Sequence, residues 1–162
     1  MLFGKRILLI IGGGISAYRS LELIRLLRKR GCSVSTCLTE GGSNFVTPLS
    51  VSALAGEEVH QDLFDLTDEA EMGHIELSRA ADLVVVAPCT ADFMAKIANG
   101  FANDLASTLL LATDRPILLA PAMNVRMWNH PSTKRNYSTL MLDGAYFVGP
   151  NDGEMACGDF GP

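Results

Sequence analysis

Arg6-Ile7-Leu8-Leu9-Ile10-Ile11-Gly12-Gly13-Gly14-Ile15-Ser16-Ala17 is the stretch that decides the fold. An apolar run of this length without polar alternation predicts a strand buried on both faces, as in a parallel sheet. Three glycines end it, and a helix follows at once. Leu21, Leu23, Ile24, Leu26 and Leu27 form a broad helical stripe between Ala17 and Arg30, the end is cationic, and Gly31 stands at the expected C-cap. Ser33 to Leu38 alternates and predicts a second strand. Strand, glycine turn, helix and strand make a βαβ unit.

The same alternation continues downstream. Asp82 to Pro88 predicts another buried strand, followed by helices over Ala91 to Ala98 and Asn103 to Ala112. Pro116 to Pro121 predicts a further strand, Pro131 to Leu142 a helix, and Ala145 to Val148 the last strand. The fold expected is α/β: a single doubly wound, Rossmann-like (flavodoxin-like) parallel sheet of about five or six strands, with helices on both faces. Residues 151–162, rich in Gly and Asp, read as a loop or flap.

Composition narrows the function classes. With 162 residues, 48% hydrophobic and 19% charged, the chain has enough material for one well-packed domain and is not disordered. A mean hydropathy of +0.23 points to apolar surface buried against other subunits. The net charge of −5, with the basic run Arg28-Lys29-Arg30 at a helix C-terminus, speaks against a nucleic-acid partner. Ile7 to Ile11 is too short for a signal peptide or membrane span, so a cytoplasmic protein without a membrane partner is expected. Cys32, Cys37, Cys89 and Cys157 lack metal-ligand or disulfide spacing, so no metal site is expected.

In open α/β sheets ligands bind beyond the C-terminal strand ends, which selects four clusters. Gly12 to Ala17 fits G-x-G-x-x-A, where small residues let backbone amides approach a phosphate. Phosphate or nucleotide binding, NAD binding with Glu40 as the acid, and a structural tight turn all fit this segment. Thr39 to Ser50 follows the second strand. Pro88 to Asp92 offers a hydroxyl, a carboxylate and amides for a planar ring or a phosphate, or an ordinary N-cap at Thr90 or Asp92. Pro121 to Trp128 contains Asn124, whose amide suits a carboxylate or caps a helix, with Met123, Met127 and Trp128 as packing. His74 is read in a loop before a helical stretch, and Cys157 as a free thiol in a glycine-flanked loop that closes over a site or is simply exposed.

Six segments, in order along the chain, carry a resemblance: Gly13 to Arg19, Phe45 to Leu49, His74 to Leu77, Ala87 to Asp92, Ala120 to Asn124 with Met127-Trp128, and Ala156 to Asp159. The set resembles the flavin-containing cysteine decarboxylases, and within them those acting on phosphopantothenoylcysteine in coenzyme A biosynthesis. The resemblance implies FMN as cofactor, with Gly13, Gly14, Ile15, Ser50, Thr90 and Ala91 at its phosphate and ribityl chain, and Thr39, Asp92 and Ala122 along its ring. It implies His74 as the active-site histidine, Asn124 as the binder of the substrate carboxylate, Cys157 as the flap cysteine, and Met123 and Ala156 as substrate contacts. Arg79 matches an arginine near the flavin phosphate.

The implied reaction converts 4′-phosphopantothenoylcysteine to 4′-phosphopantetheine. A carbanion beside an amide nitrogen is poorly stabilised, so hydride removal from the carbon bearing sulfur first gives a thioaldehyde, decarboxylation gives an enethiolate, and the hydride returns with a proton from Cys157. His74 assists the oxidation by proton removal or by orienting the thiol. The family also implies homotrimers, or dodecamers of trimers, and a downstream CTP-dependent ligase domain beyond Pro162 that makes the substrate. Gly14 stands where some members have Ser, and Thr90-Ala91-Asp92 replaces Ser-Ala-Asn. Peptidyl-cysteine decarboxylase, flavin prenyltransferase, regulatory flavoprotein and NAD-dependent oxidoreductase are the competing readings.

Overall fold

A computed structural model of the chain describes residues 1–64, 70–155 and 157–162. Its elements run β1 (Arg6–Ile11), α1 (Ala17–Lys29), β2 (Ser33–Leu38), a 3-10 turn (Gly42–Asn44), α2 (Pro48–Ala55) and α3 (Ala70–Ala80). Then follow β3 (Leu83–Cys89), α4 (Ala91–Ala98), α5 (Leu105–Ala112), β4 (Ile117–Pro121), α6 (Val125–Asn129), α7 (Pro131–Leu142) and β5 (Tyr146–Phe147). Strands β6 (Gly153–Glu154) and β7 (Phe160–Gly161) close the chain.

Among the described residues the main sheet has five strands in the order β2-β1-β3-β4-β5, all parallel. This is the doubly wound, flavodoxin-like arrangement, with the order reversing between β1 and β3. The β1 run explains the two layers. Leu8 and Ile10 face one core with Val84, Val86, Phe93, Leu109 and Trp128, whereas Ile7, Leu9 and Ile11 face the other with Ala17, Ile24 and Val51. Each fully buried Leu or Ile side chain contributes roughly 2 kcal/mol, so β1 anchors both helical layers.

Three expectations change. His74 lies within α3, not in a loop before it, because one glycine at position 73 does not stop the helix. Residues 151–162 are not all loop: β6 and β7 pair antiparallel, Gly153 with Gly161 and Glu154 with Phe160. Helix α2 was not expected, and α6 realises the helix-cap reading of Asn124. Thr47 caps α2 with Pro48 at its first turn, and Asn124 caps the five-residue α6. No helix among the described residues is long and apolar enough to cross a membrane.

Candidate active site

A cavity of about 1460 Å³ opens where the strand order reverses, beyond the C-terminal ends of β1, β3 and β4. Single ligand sites run to roughly 1,000 Å³, so this one has room for two ligands side by side. Its walls come from the Gly12–Ser16 turn, residues 39–41, residues 90–93, residues 121–124, and the β6–β7 ribbon with Cys157.

The glycine turn is dictated by contact. A Cβ on Gly12 would collide with the Pro88 carbonyl, and one on Gly13 would lie 2.7 Å from the Gly41 carbonyl carbon and 2.8 Å from its Cα. Gly12 N–H donates to Pro88 O at 3.1 Å, tying the turn to the end of β3. The N–H groups of Gly13, Gly14, Ile15 and Ser16 donate to no protein acceptor among the described residues. Ser16 stands at the α1 N-cap with no capping bond from its side chain. Consecutive free amides at a helix start form a concave donor set suited to a phosphate. Thr39 shapes this wall: its hydroxyl donates to Ile11 O at 3.1 Å and accepts from Gly42 N–H at 2.9 Å.

The opposite wall begins at Thr90. Its Oγ1 accepts from Phe93 N–H at 3.1 Å and caps α4, leaving the hydroxyl proton available. Asp92 is exposed, and Lys96 reaches both Asp92 (3.8 Å) and Asp104 (3.9 Å), giving the cavity one cation between two carboxylates.

Asn124 divides its amide between two tasks. Oδ1 accepts from Arg126 N–H at 2.8 Å and caps α6, while Nδ2 donates to Asp159 Oδ2 at 2.8 Å and to Cys157 Sγ at 3.3 Å. The partners fix the orientation, because a backbone N–H needs the oxygen and a carboxylate needs the nitrogen. Cys157 Sγ also lies 3.5 Å from Asp159 Oδ2. The Asn124 donor, then Cys157, then the charge of Arg126 hold the Asp159 carboxyl below the usual carboxylate range. Cys32, Cys37 and Cys89 are buried and Cys157 is exposed; burial pushes the Cys37 and Cys89 thiols up and leaves them inert.

Of the residues singled out from sequence, Gly13, Gly14, Ile15, Thr39, Thr90, Ala91, Asp92, Ala122, Met123, Asn124 and Cys157 meet on this cavity. Ser50, His74 and Arg79 are not on its walls. Ser50 sits in the first turn of α2, bonded to Thr47. His74 is half-buried in α3 with Nδ1 enclosed and without a hydrogen-bond partner among the described residues, and Arg79 is exposed in the last turn of that helix. Ala156 lies outside the described residues. Sequence reading gave no role to Ser16, Lys96, Asp104 or Asp159. Lys96 sits four residues after Asp92, and that helical spacing was the available signal. No cluster of metal-binding side chains occurs among the described residues.

Fold and site together define an open parallel α/β domain with an anion cradle and a thiol-bearing ribbon across one cavity. The chain belongs to the Flavoprotein family, whose model matches residues 1–162. It is 50% identical over 158 residues to the coenzyme A biosynthesis bifunctional protein CoaBC of Haemophilus influenzae, and 48% identical over 161 residues to that of Escherichia coli. These matches cover 98% and 99% of the chain, which spans 40% of the length of each relative. Among solved structures, the chain resembles an FMN-dependent cysteine decarboxylase, SpaF, with a TM-score of 0.87 at 29% identity, over 100% of this chain and 92% of that one. It also resembles a PPC decarboxylase variant complexed with pantothenoylaminoethenethiol, with a TM-score of 0.80 at 31% identity, over 97% and 88% of the two chains.

Proposed function

We propose that the chain decarboxylates 4′-phosphopantothenoylcysteine to 4′-phosphopantetheine with FMN, in coenzyme A biosynthesis. One observation carries this reading: the Asn124 amide and the Cys157 thiol stand 3.3 Å apart on the same cavity as the glycine cradle. A carboxylate-binding donor, a proton-bearing thiol and a phosphate cradle are the groups this reaction needs. The residues present fit the cofactor, since the amides of Gly13, Gly14 and Ile15 have no protein acceptor among the described residues and line the cavity, while Gly12 and Gly13 pack too closely on Pro88 and Gly41 to carry a side chain. Thr90 and Ala91 would complete the phosphate and ribityl contacts, and Thr39, Asp92 and Ala122 would lie along the ring, whereas Ser50 lies off these walls. Bound FMN would supply reversible hydride acceptance at the carbon bearing sulfur, with no net oxidation of the substrate.

The chain's own groups do the rest. Asn124 Nδ2 holds the substrate carboxylate with its carbon aligned for CO2 loss, and Met123 and Ala156 flank the chain of the substrate. Cys157 Sγ gives its proton to the carbon left by CO2, and residues 151–162 cover the substrate. His74 is off its own chain's cavity, so a second copy supplies it, assisting the oxidation at the substrate thiol; Arg79, on the same helix, reaches the flavin phosphate in the same way. A homotrimer, or a dodecamer of trimers, would bring these together. The part of the relatives beyond this span would hold a CTP-dependent ligase making the substrate. Exposed Cys157 as a working thiol suits the reducing cytoplasm.

Mass spectrometry of 4′-phosphopantothenoylcysteine incubated with the protein and FMN tests the reaction: conversion to 4′-phosphopantetheine is expected, and an unchanged substrate refutes it. Mixing two inactive variants, His74→Asn and Asn124→Asp, tests the shared site. Restored turnover is expected, and none would rule out a second copy as the source of His74.

A further inference from the structure

We propose that Asp159 competes with the substrate's carboxylate for the Asn124 amide donor, so that the ribbon yields fully only to a ligand bearing a carboxylate. The inference rests on the substrate reading above. Asn124 has no spare donor: Oδ1 caps α6, and Nδ2 donates to both Asp159 Oδ2 and Cys157 Sγ. A substrate carboxylate can reach that donor only by replacing an acceptor, and Asp159 presents the same chemical group. Two carboxylates crowded onto one amide repel, so they exchange rather than share.

The element carrying Asp159 is built to move. The β6–β7 ribbon has two residue pairs, and its turn is held by Met155 N–H to Asp159 O at 2.7 Å and Gly158 N–H to Met155 O at 2.9 Å. Loss of CO2 removes the competing group, so Asp159 regains the amide as product forms. The latch therefore favours substrate over analogues lacking the carboxylate and hastens release of the decarboxylated product.

The test uses the FMN-loaded protein and two unreactive ligands: the serine counterpart of the substrate, which keeps the carboxylate but carries a hydroxyl for the thiol, and its decarboxylated ethanolamide. Calorimetric titration of wild type, Asp159→Ala and Asp159→Asn is expected to show the serine ligand binding about tenfold tighter to Asp159→Ala, with a smaller gain for Asp159→Asn. The ethanolamide is expected to bind all three alike. Equal weakening of both ligands would make Asp159 a mere support of the ribbon and overturn the competition, as would unchanged affinities. Failure of both ligands to bind any of the proteins would overturn the substrate assignment as well. A readout without ligand accompanies it: iodoacetamide labels the exposed Cys157 faster in Asp159→Ala, where the carboxylate that accepts from Sγ at 3.5 Å is gone. An unchanged labelling rate would overturn the latch contact itself.

Discussion

Replacing Gly13 with Ala should damage cofactor binding far more than replacing its neighbour Gly14 with Ser. The new Cβ at position 13 would sit 2.7 to 2.8 Å from backbone atoms of Gly41, which no flexible side chain can relieve. Either the turn or the loop after β2 has to shift, and overpacking of this kind costs about 1–3 kcal/mol. Taking ~2 kcal/mol, Tm falls by roughly 4–8 °C for a chain of this size. The shift also misaligns the amides that face the cavity. Losing one charge-assisted bond to a phosphate, worth about 1.5–3 kcal/mol, weakens FMN binding roughly ten- to a hundredfold. At Gly14 the nearest atom to an added Cβ is Pro88 Cγ at 3.8 Å, ordinary contact distance. Gly14→Ser therefore fits, adds a hydroxyl at the phosphate, and should tighten FMN by up to about tenfold. Flavin titration and thermal melts of both variants decide it. Wild-type FMN affinity in Gly13→Ala, or equal destabilisation by the two substitutions, would refute the cradle reasoning.

Asn124→Asp keeps an oxygen cap for α6 but loses the donor and sets a carboxylate against Asp159, so melting should move little and FMN stay bound while turnover falls by at least a hundredfold; loss of FMN would sink this division of labour. Cys157→Ser should stop the reaction after CO2 loss and accumulate the oxidised enethiol, seen by mass spectrometry, whereas full conversion to product would remove Cys157 as proton donor. The Arg6 backbone N–H, donating at 2.8 Å, holds the Asp82 carboxyl below its ordinary value. Its stabilising contribution is therefore present at neutral pH and is lost as pH falls through that depressed value. Melts of wild type and Asp82→Asn should differ at pH 7 and converge in acid; a gap that stays constant would contradict the linkage.

The parallel sheet was legible because β1 and β3 are buried on both faces, and such strands leave uninterrupted apolar runs. Helices α4 and α7 kept the expected bounds because Thr90 and Pro131 mark their starts. Short α2 and α6 lack enough turns to show a periodic stripe, and their starts, Thr47-Pro48 and Asn124, were the local signs. The two-residue strands of the ribbon are too short for alternation to register. For the site, the clusters after each strand were readable because topology gathers strand ends. The Asp159 contact was not, since it joins residues 35 apart through a turn whose course no local pattern encodes.

Asn124 also bears on how this site could change over generations. Asp, Ser and Thr all cap helices well, so each could replace Asn124 with α6 intact, yet none offers an amide NH2. A screen for expression or heat resistance would pass such variants as healthy. Drift at this position would thus yield well-folded proteins with altered ligand preference, and only selection on chemistry would keep the asparagine.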